Sequence, residues 1–269
     1  SFISVKHVNL GGGLFVALGW ENLEGVPSHI NPNPFIFAPD CTFPFPDNSV
    51  KTVYSSHALE HMNQPTVDRV LEESYRILKH GGRLVLKLPD FDRVLECWRQ
   101  ENADFFDDNW GYSQIIKTWE NYNVSDTIDS RAAFLFCGFW NDAYGDHFKQ
   151  IWSGSMPGVV TIQEQNRSKA FHGPPAVSKD VYKAFKNNYS PKQISEKLCQ
   201  IVMSTETNYH FNHQNAWSRH ELKELVTRFN FVVLAQDTEV VLKNCWDLPQ
   251  IRQMLSLSMY LLAKKTRII

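Results

Sequence analysis

The chain lacks paired cysteines. Its five, Cys41, Cys97, Cys137, Cys199 and Cys245, stand singly, with no C-x-x-C pair and no histidine cluster at zinc-ligand spacing. Neither a disulfide framework nor a metal site is signalled, and a reducing cytoplasm is the expected compartment. Long apolar runs are missing too. The longest, Ala132 to Trp140, falls well short of the roughly 20 residues that a spanning helix needs. Nothing at the start has the charged and apolar order of a signal peptide, so no membrane association is expected. There is also no excess of either charge: 27 Lys and Arg stand against 29 Asp and Glu, a formal net charge of -2. Such a balance exerts no overall pull on a phosphate backbone, and nucleic acid is not the expected partner. Internal repeats and low-complexity stretches are absent. The chain opens on Ser1, almost on a strand and without an initiator Met, so preceding residues are expected in the native protein.

What is present is core-forming material. With 269 residues, 43% hydrophobic and 13% aromatic, the chain can build one large domain or a domain with a sizeable elaboration. Val5 to Leu10 reads as a short buried strand running into Gly11-Gly12-Gly13, and Trp20 to Leu23 as a second strand ending at Glu24. A helix packed back across a parallel sheet needs a crossover of about a dozen residues. Only Leu14 to Gly19 separate the two strands, so that helix must be reduced or displaced. Phe35 to Ala38 and Thr52 to Ser55 supply the third and fourth strands. Val67, Val70, Leu71, Tyr75 and Leu78 then follow the helical period, with Gly81 expected at the left-handed position past the helix end. Arg83 to Leu88 is the fifth strand. Near the C-terminus Ser218-x-x-Glu221 opens a helix carrying Leu222, Leu225, Val226 and Phe229, and Phe231 to Ala235 and Leu257 to Ala263 form the last two strands.

Asp40-Cys41-Thr42-Phe43-Pro44-Phe45-Pro46-Asp47-Asn48-Ser49, then Ser56-His57-Ala58-Leu59-Glu60-His61, then Gly81-Gly82-Arg83-Leu84-Val85-Leu86, follow one another in order. This succession resembles the middle of class I S-adenosylmethionine-dependent methyltransferases. In their small-molecule branch an acidic residue ends the third strand, an "lPF.DnS" turn leads to the fourth, and an "LEH" segment opens the next helix. Asn9-Leu10-Gly11-Gly12-Gly13 and Gly19-Trp20-Glu21-Asn22-Leu23-Glu24 are similar to a subgroup with the same shortened first crossover, common among glycan enzymes. The resemblance covers about Val5 to Asp90 and Ala216 to Lys264. It implies a Rossmann-like α/β fold with a seven-stranded, mostly parallel sheet whose last strand is antiparallel. The sheet domain would comprise residues 1–90 and 214–269, and residues 91–213 would be an inserted helical cap. Within that insertion Asp92 to Glu101, Tyr112 to Glu120, Ser130 to Phe139 and a helix begun by Ser190-Pro191 read as helical, and Gly154 to Pro175 as an ordered loop.

The resemblance implies S-adenosylmethionine as cofactor and a small-molecule or glycan-like acceptor. Asn9, Gly11, Gly12, Gly13, Glu24, Asp40, Cys41, Ser56 and His57 would line the cofactor. Glu24 would take the ribose hydroxyls and Asp40 the adenine amino group, with the Cys41 amide against the ring. Asn9 stands where the family usually has an acidic residue, which removes a charge from that position. His57 is the expected general base if the acceptor carries a proton; packing on the cofactor or capping the next helix is its other reading, and Glu60 and His61 are expected to organise the helix start. Asp90 either reaches substrate or caps a helix. Trp140, Tyr144 and His147, from the aromatic-rich insertion, are the candidate acceptor-binding residues, with His172, His210 and His213 as further candidate acids or bases. A cofactor-binding protein without transferase activity is the alternative reading. A nicotinamide dehydrogenase is disfavoured because no glycine stands three residues after Gly13 and because the acidic residue follows the glycines too closely.

Overall fold

The computed structural model describes residues 7–11, 19–24, 35–36, 40, 42–108, 127–137, 178–203, 213–248 and 250–266. The chain divides into two compact units, Ser1–Pro89 with Arg219–Ile269, and Asp90–Ser218. No helix among the described residues is long and apolar enough to cross a membrane.

The first unit is an open sheet. Its strands are β1 (His7–Leu10), β2 (Trp20–Glu24), β3 (Phe35–Ile36), β4 (Val50–Ser56), β5 (Leu78–Pro89), β6 (Phe231–Ala235) and β7 (Ser258–Lys265), in the order β3-β2-β1-β4-β5-β7-β6. β3 has only two residues, and the other six strands have four or more. β1 to β5 pair in parallel, whereas β7 runs antiparallel to both β5 and β6. Helix α1 (Gln64–Ile77) covers one face with Val67, Val70, Leu71 and Ile77 buried, a stripe at helical spacing. On the other face Tyr54, Val85, Tyr260 and Leu262 cluster with Val241, Leu242, Cys245, Leu248 and Ile251, and Trp20 packs against them. Each large apolar side chain removed from water in this way contributes about 1.5 to 3 kcal/mol.

The turn before β4 is held by α1. Glu73, almost fully buried, accepts from the Phe43 N–H at 2.7 Å, and Arg76 donates to the Phe43 and Phe45 carbonyls and to Asp47. The Asn48 and Ser49 amides in turn donate to the Arg76 and Ile77 carbonyls, satisfying groups that a helix C-terminus leaves open. Burial opposes the Glu73 carboxylate, but the Arg76 guanidinium, the Phe43 amide and Arg69 together hold it below the usual range. The Pro-rich motif is thus a structural clasp between β4 and α1.

Gly81 does have φ +77, yet it does not end the helix. The residue after Ile77, Leu78, is already extended and pairs with Val50; the register then jumps to Thr52 with Arg83, so Gly81 and Gly82 lie in an irregularity inside β5. Strand pairing takes the chain before the glycine can cap it. A helix not expected from the sequence, α8 (Thr238–Asn244), follows β6 and is capped by Asp237, while α7 (Arg219–Arg228) precedes it.

The second unit is helical among its described residues: α2 (Phe91–Arg99), α3 (Ala103–Asp108), α4 (Ile128–Cys137), α5 (Lys179–Asn188) and α6 (Pro191–Met203). From Ala132 to Cys137 every residue of α4 is buried, so this half of the helix is apolar all round, whereas Asp129, Ser130 and Arg131 make its first turn polar. Phe91 stacks on Phe136 at 5.3 Å, and the Trp98 indole donates to Asp129 at 2.6 Å. Pro191 opens α6, where Ser190 and Gln193 exchange side-chain and backbone hydrogen bonds as a capping box. Tyr112 to Glu120 and Gly154 to Pro175 lie outside the described residues.

Candidate functional site

In an open α/β sheet, ligands bind beyond the carboxyl ends of the parallel strands, where the strand order reverses. Here that point lies between β1 and β4, whose chain connections run to opposite sides of the sheet. Leu10 pairs with both Leu23 and Ser55, so the next residues, Gly11, Glu24 and Ser56, end three adjacent strands at one level. Neighbouring strands lie about 5 Å apart. Ser56 pairs with Lys87 and extends the row onto β5.

Gly11 is required where it stands. Its φ is +65, and a Cβ there would lie 2.5 Å from the Ala58 Cβ. Its amide donates to the Leu23 carbonyl at 2.7 Å, which ties the end of β1 to β2. Beside it Glu24 is only 6% exposed. A buried carboxylate needs hydrogen-bond donors to offset its lost hydration, and its two oxygens suit a vicinal diol.

His57 follows β4 with φ +50, a conformation that costs a non-glycine residue energy and recurs at functional sites. Its amide donates to the Lys87 carbonyl at 2.8 Å. The ring Nε2 lies 2.8 Å from Ser258 Oγ, and Nδ1 lies 3.4 Å from Glu60 Oε1. Glu60 and His61 belong to a single short turn, Leu59–His61, and it is Asn63 that caps α1 by accepting from the Thr66 amide. Glu60 therefore faces His57 instead of organising the helix start.

Lys87 is 1% exposed, and burial brings its ammonium down to about 8. It donates to the Gln250 carbonyl at 3.0 Å, while Tyr260 donates to the neighbouring Ile251 carbonyl at 2.8 Å. Burial likewise pushes the Tyr54 phenol up to about 12, so it stays neutral beneath Ser56.

The other expected residues fall as follows. Asn9 lies two residues before the strand tip, buried in register with Asn22 and Tyr54. Asp40 is exposed beyond β3. Asp90 accepts from the Arg93 amide at 3.2 Å, which makes it the N-cap of α2. His213 serves α4: its amide donates to the Cys137 carbonyl, and its Nδ1 lies 2.6 Å from the Leu135 carbonyl. Gly12, Gly13, Cys41, Trp140, Tyr144, His147, His172 and His210 lie outside the described residues. Glu60 was singled out from the sequence only for the helix start, and Lys87 and Ser258 were not singled out. Of those two, only Lys87 left a trace there, as a lone charge within Leu84-Val85-Leu86-Lys87-Leu88.

Residues 21–86 match the family model for a methyltransferase domain. That segment contains Glu24, Ser56, His57 and Glu60 and ends one residue before Lys87. Among solved structures, the chain is similar to one in a complex formed with the Haloferax volcanii Trm112 methyltransferase activator, with 13% identity, 98% of this chain and 84% of that one covered, and a TM-score of 0.40. It is also similar to an S-adenosylmethionine-dependent methyltransferase from Mesorhizobium loti, with 12% identity, coverage of 97% and 92%, and a TM-score of 0.39. A third is geranyl diphosphate C-methyltransferase from Streptomyces coelicolor, with 10% identity, coverage of 97% and 72%, and a TM-score of 0.36. Likeness at this level says nothing of substrate. No curated protein matches the chain.

Proposed function

We propose that this protein is an S-adenosylmethionine-dependent methyltransferase acting on a small-molecule or glycan-like acceptor. The observation that carries the reading is the row of Glu24, Gly11 and Ser56 at the reversal of strand order, with a buried carboxylate at one end and His57 beyond the other. The methyltransferase-domain match over residues 21–86 supports it.

When bound, the cofactor supplies an already activated methyl group, so the protein has little covalent work to do. Glu24 would hold the ribose hydroxyls, and Gly11 would keep the tip of β1 free of side chain. Asp40 would take the adenine amino group. His57 would accept the proton of a hydroxyl or protonated amine acceptor. Alignment of donor and acceptor accounts for most of the rate in such a displacement. Acceptor recognition is assigned to the 91–213 segment.

Calorimetric titration with S-adenosylmethionine and its demethylated product tests the cofactor site. Glu24→Ala should weaken binding by about 1 to 3 kcal/mol, roughly 5- to 150-fold in Kd, with the fold unchanged by circular dichroism. An unaltered Kd would remove Glu24 from the site, and absence of binding by the unsubstituted protein would end the reading. Release of the demethylated product across a panel of hydroxyl- and amine-bearing sugars and small molecules then reports turnover.

A further inference from the structure

Three side chains from two distant parts of the sequence, His57 with Glu60 and then Ser258, meet at the end of β4. His57 Nε2 is 2.8 Å from Ser258 Oγ, at the first residue of β7 and 201 positions away in the chain. His57 Nδ1 is 3.4 Å from an oxygen of Glu60, whose side chain is fully buried. Ser258 Oγ is also 2.8 Å from the Met254 carbonyl, which receives the Leu257 amide at 3.1 Å as well.

Proton counting gives this arrangement a direction. A carboxylate can only accept, so the imidazole nitrogen facing Glu60 is the one favoured to carry hydrogen. The other nitrogen, Nε2, then presents a lone pair to Ser258. A serine hydroxyl has one proton, and this one has two acceptors at the same distance, Nε2 and the Met254 carbonyl. Rotation about its C–O bond moves that proton from one to the other without loss of a hydrogen bond. The Met254 carbonyl is already satisfied by Leu257, so it can receive the serine or do without it.

We propose that Glu60 and Ser258 are the positioning residues of His57: Glu60 keeps hydrogen on Nδ1, and Ser258 occupies the Nε2 lone pair until an acceptor hydroxyl or amine displaces it. The proposal rests on the methyltransferase reading and adds the groups that make His57 a base. As the acceptor oxygen or nitrogen bonds to the methyl carbon, its proton passes to Nε2. The carbon–sulfur bond breaks with its electron pair left on sulfur. Positive charge thereby moves from the sulfonium to the imidazolium, next to the Glu60 carboxylate, while Ser258 turns to Met254. Ser258 as a nucleophile in its own right is disfavoured, because it is 3% exposed and hydrogen-bonds a carbonyl.

The tautomer of His57 tests this without any cofactor or acceptor. Protein labelled with nitrogen-15 in histidine is examined by long-range proton–nitrogen correlation, with the His57 signals assigned by their loss in His57→Gln. The expected result is the neutral Nδ1–H form in the unsubstituted protein. In Glu60→Gln the Nδ1–H form should lose its preference and the Nε2–H form should appear. Ser258→Ala should keep Nδ1–H and shift only the Nε2 resonance. His61 Nε2 is 4.0 Å from the same Glu60 oxygen, so His61→Gln is the control and should leave His57 unchanged. A predominantly Nε2–H His57 in the unsubstituted protein overturns the proposal, and that measurement needs no variant to fold. Binding of S-adenosylmethionine by a protein whose His57 is Nε2–H sinks the positioning pair alone. Loss of that binding with Nδ1–H intact sinks the methyltransferase reading instead.

Discussion

Lys87→Met should make the protein more stable at neutral pH, and the advantage should fade as pH rises. Lys87 is 1% exposed in the middle of the sheet, between Ser56 on β4 and Tyr260 on β7. Its hydrogen bond to the Gln250 carbonyl does not offset the lost hydration, since burial brings the ammonium down to about 8 from the ordinary 10.5. Below pH 8 the folded and unfolded chains both hold the proton, and the native state bears the full cost of a buried charge, about 3 kcal/mol. Between pH 8 and 10.5 the folded chain has lost its proton while the unfolded chain keeps it, so stability rises with pH. From pH 7 to pH 9.5 that gain is about 2 kcal/mol. Methionine carries no charge and matches the stem in length, so the variant lacks this gain. Urea unfolding of both proteins at the two pH values isolates the effect, because other groups titrate alike in each. The difference in unfolding free energy, variant minus unsubstituted, should fall by about 2 kcal/mol. A difference that stays constant across this range would mean that the ammonium is not destabilised, and the placement of Lys87 would be refuted.

Other substitutions probe the clasp, the strand tip and the cap. Gly11→Ala meets both a left-handed φ and the Ala58 Cβ at 2.5 Å, and should cost about 1 to 3 kcal/mol in urea unfolding; a neutral result would contradict the close approach. Glu73→Gln should cost about 2 to 3 kcal/mol at pH 7. Because the native Glu73 carboxyl is held below its unfolded value, its contribution is present above about pH 4.5 and lost as pH falls, so the cost of the substitution should shrink at pH 3. A cost independent of pH would remove the carboxylate from that role. Asp90→Ala should lose about 1 kcal/mol as a helix cap. Its Kd for S-adenosylmethionine should not change, and a weakened Kd would move Asp90 into the ligand site.

How much of this was legible in the sequence depends on the range over which each feature is determined. β4, α1, β6 and β7 follow from local period, since Val67, Val70 and Leu71 or the apolar run at the C-terminus state their own geometry. Glu24 and Ser56 were legible as strand ends for the same reason. Gly81 misled because the local signal for a helix stop was overridden by pairing of Leu78 with Val50, a contact that spans α1. α8 was hidden because Thr238-Glu239-Val240-Val241 has strand-like residues, and only the burial of Val241 and Leu242 against the sheet selects the helix. Glu60 was read only as an organiser of the helix start, and Ser258 was not read at all. Ser258 lies far from His57 in the chain, and what joins them is the reversed direction of β7. The parallel strands bring their last residues to the functional edge of the sheet, whereas an antiparallel strand brings its first. Pro89 therefore pairs with Ser258, and the beginning of β7 meets the end of β4 across β5. In a mixed sheet the residue that completes a site is to be sought at the start of the strand that runs the other way.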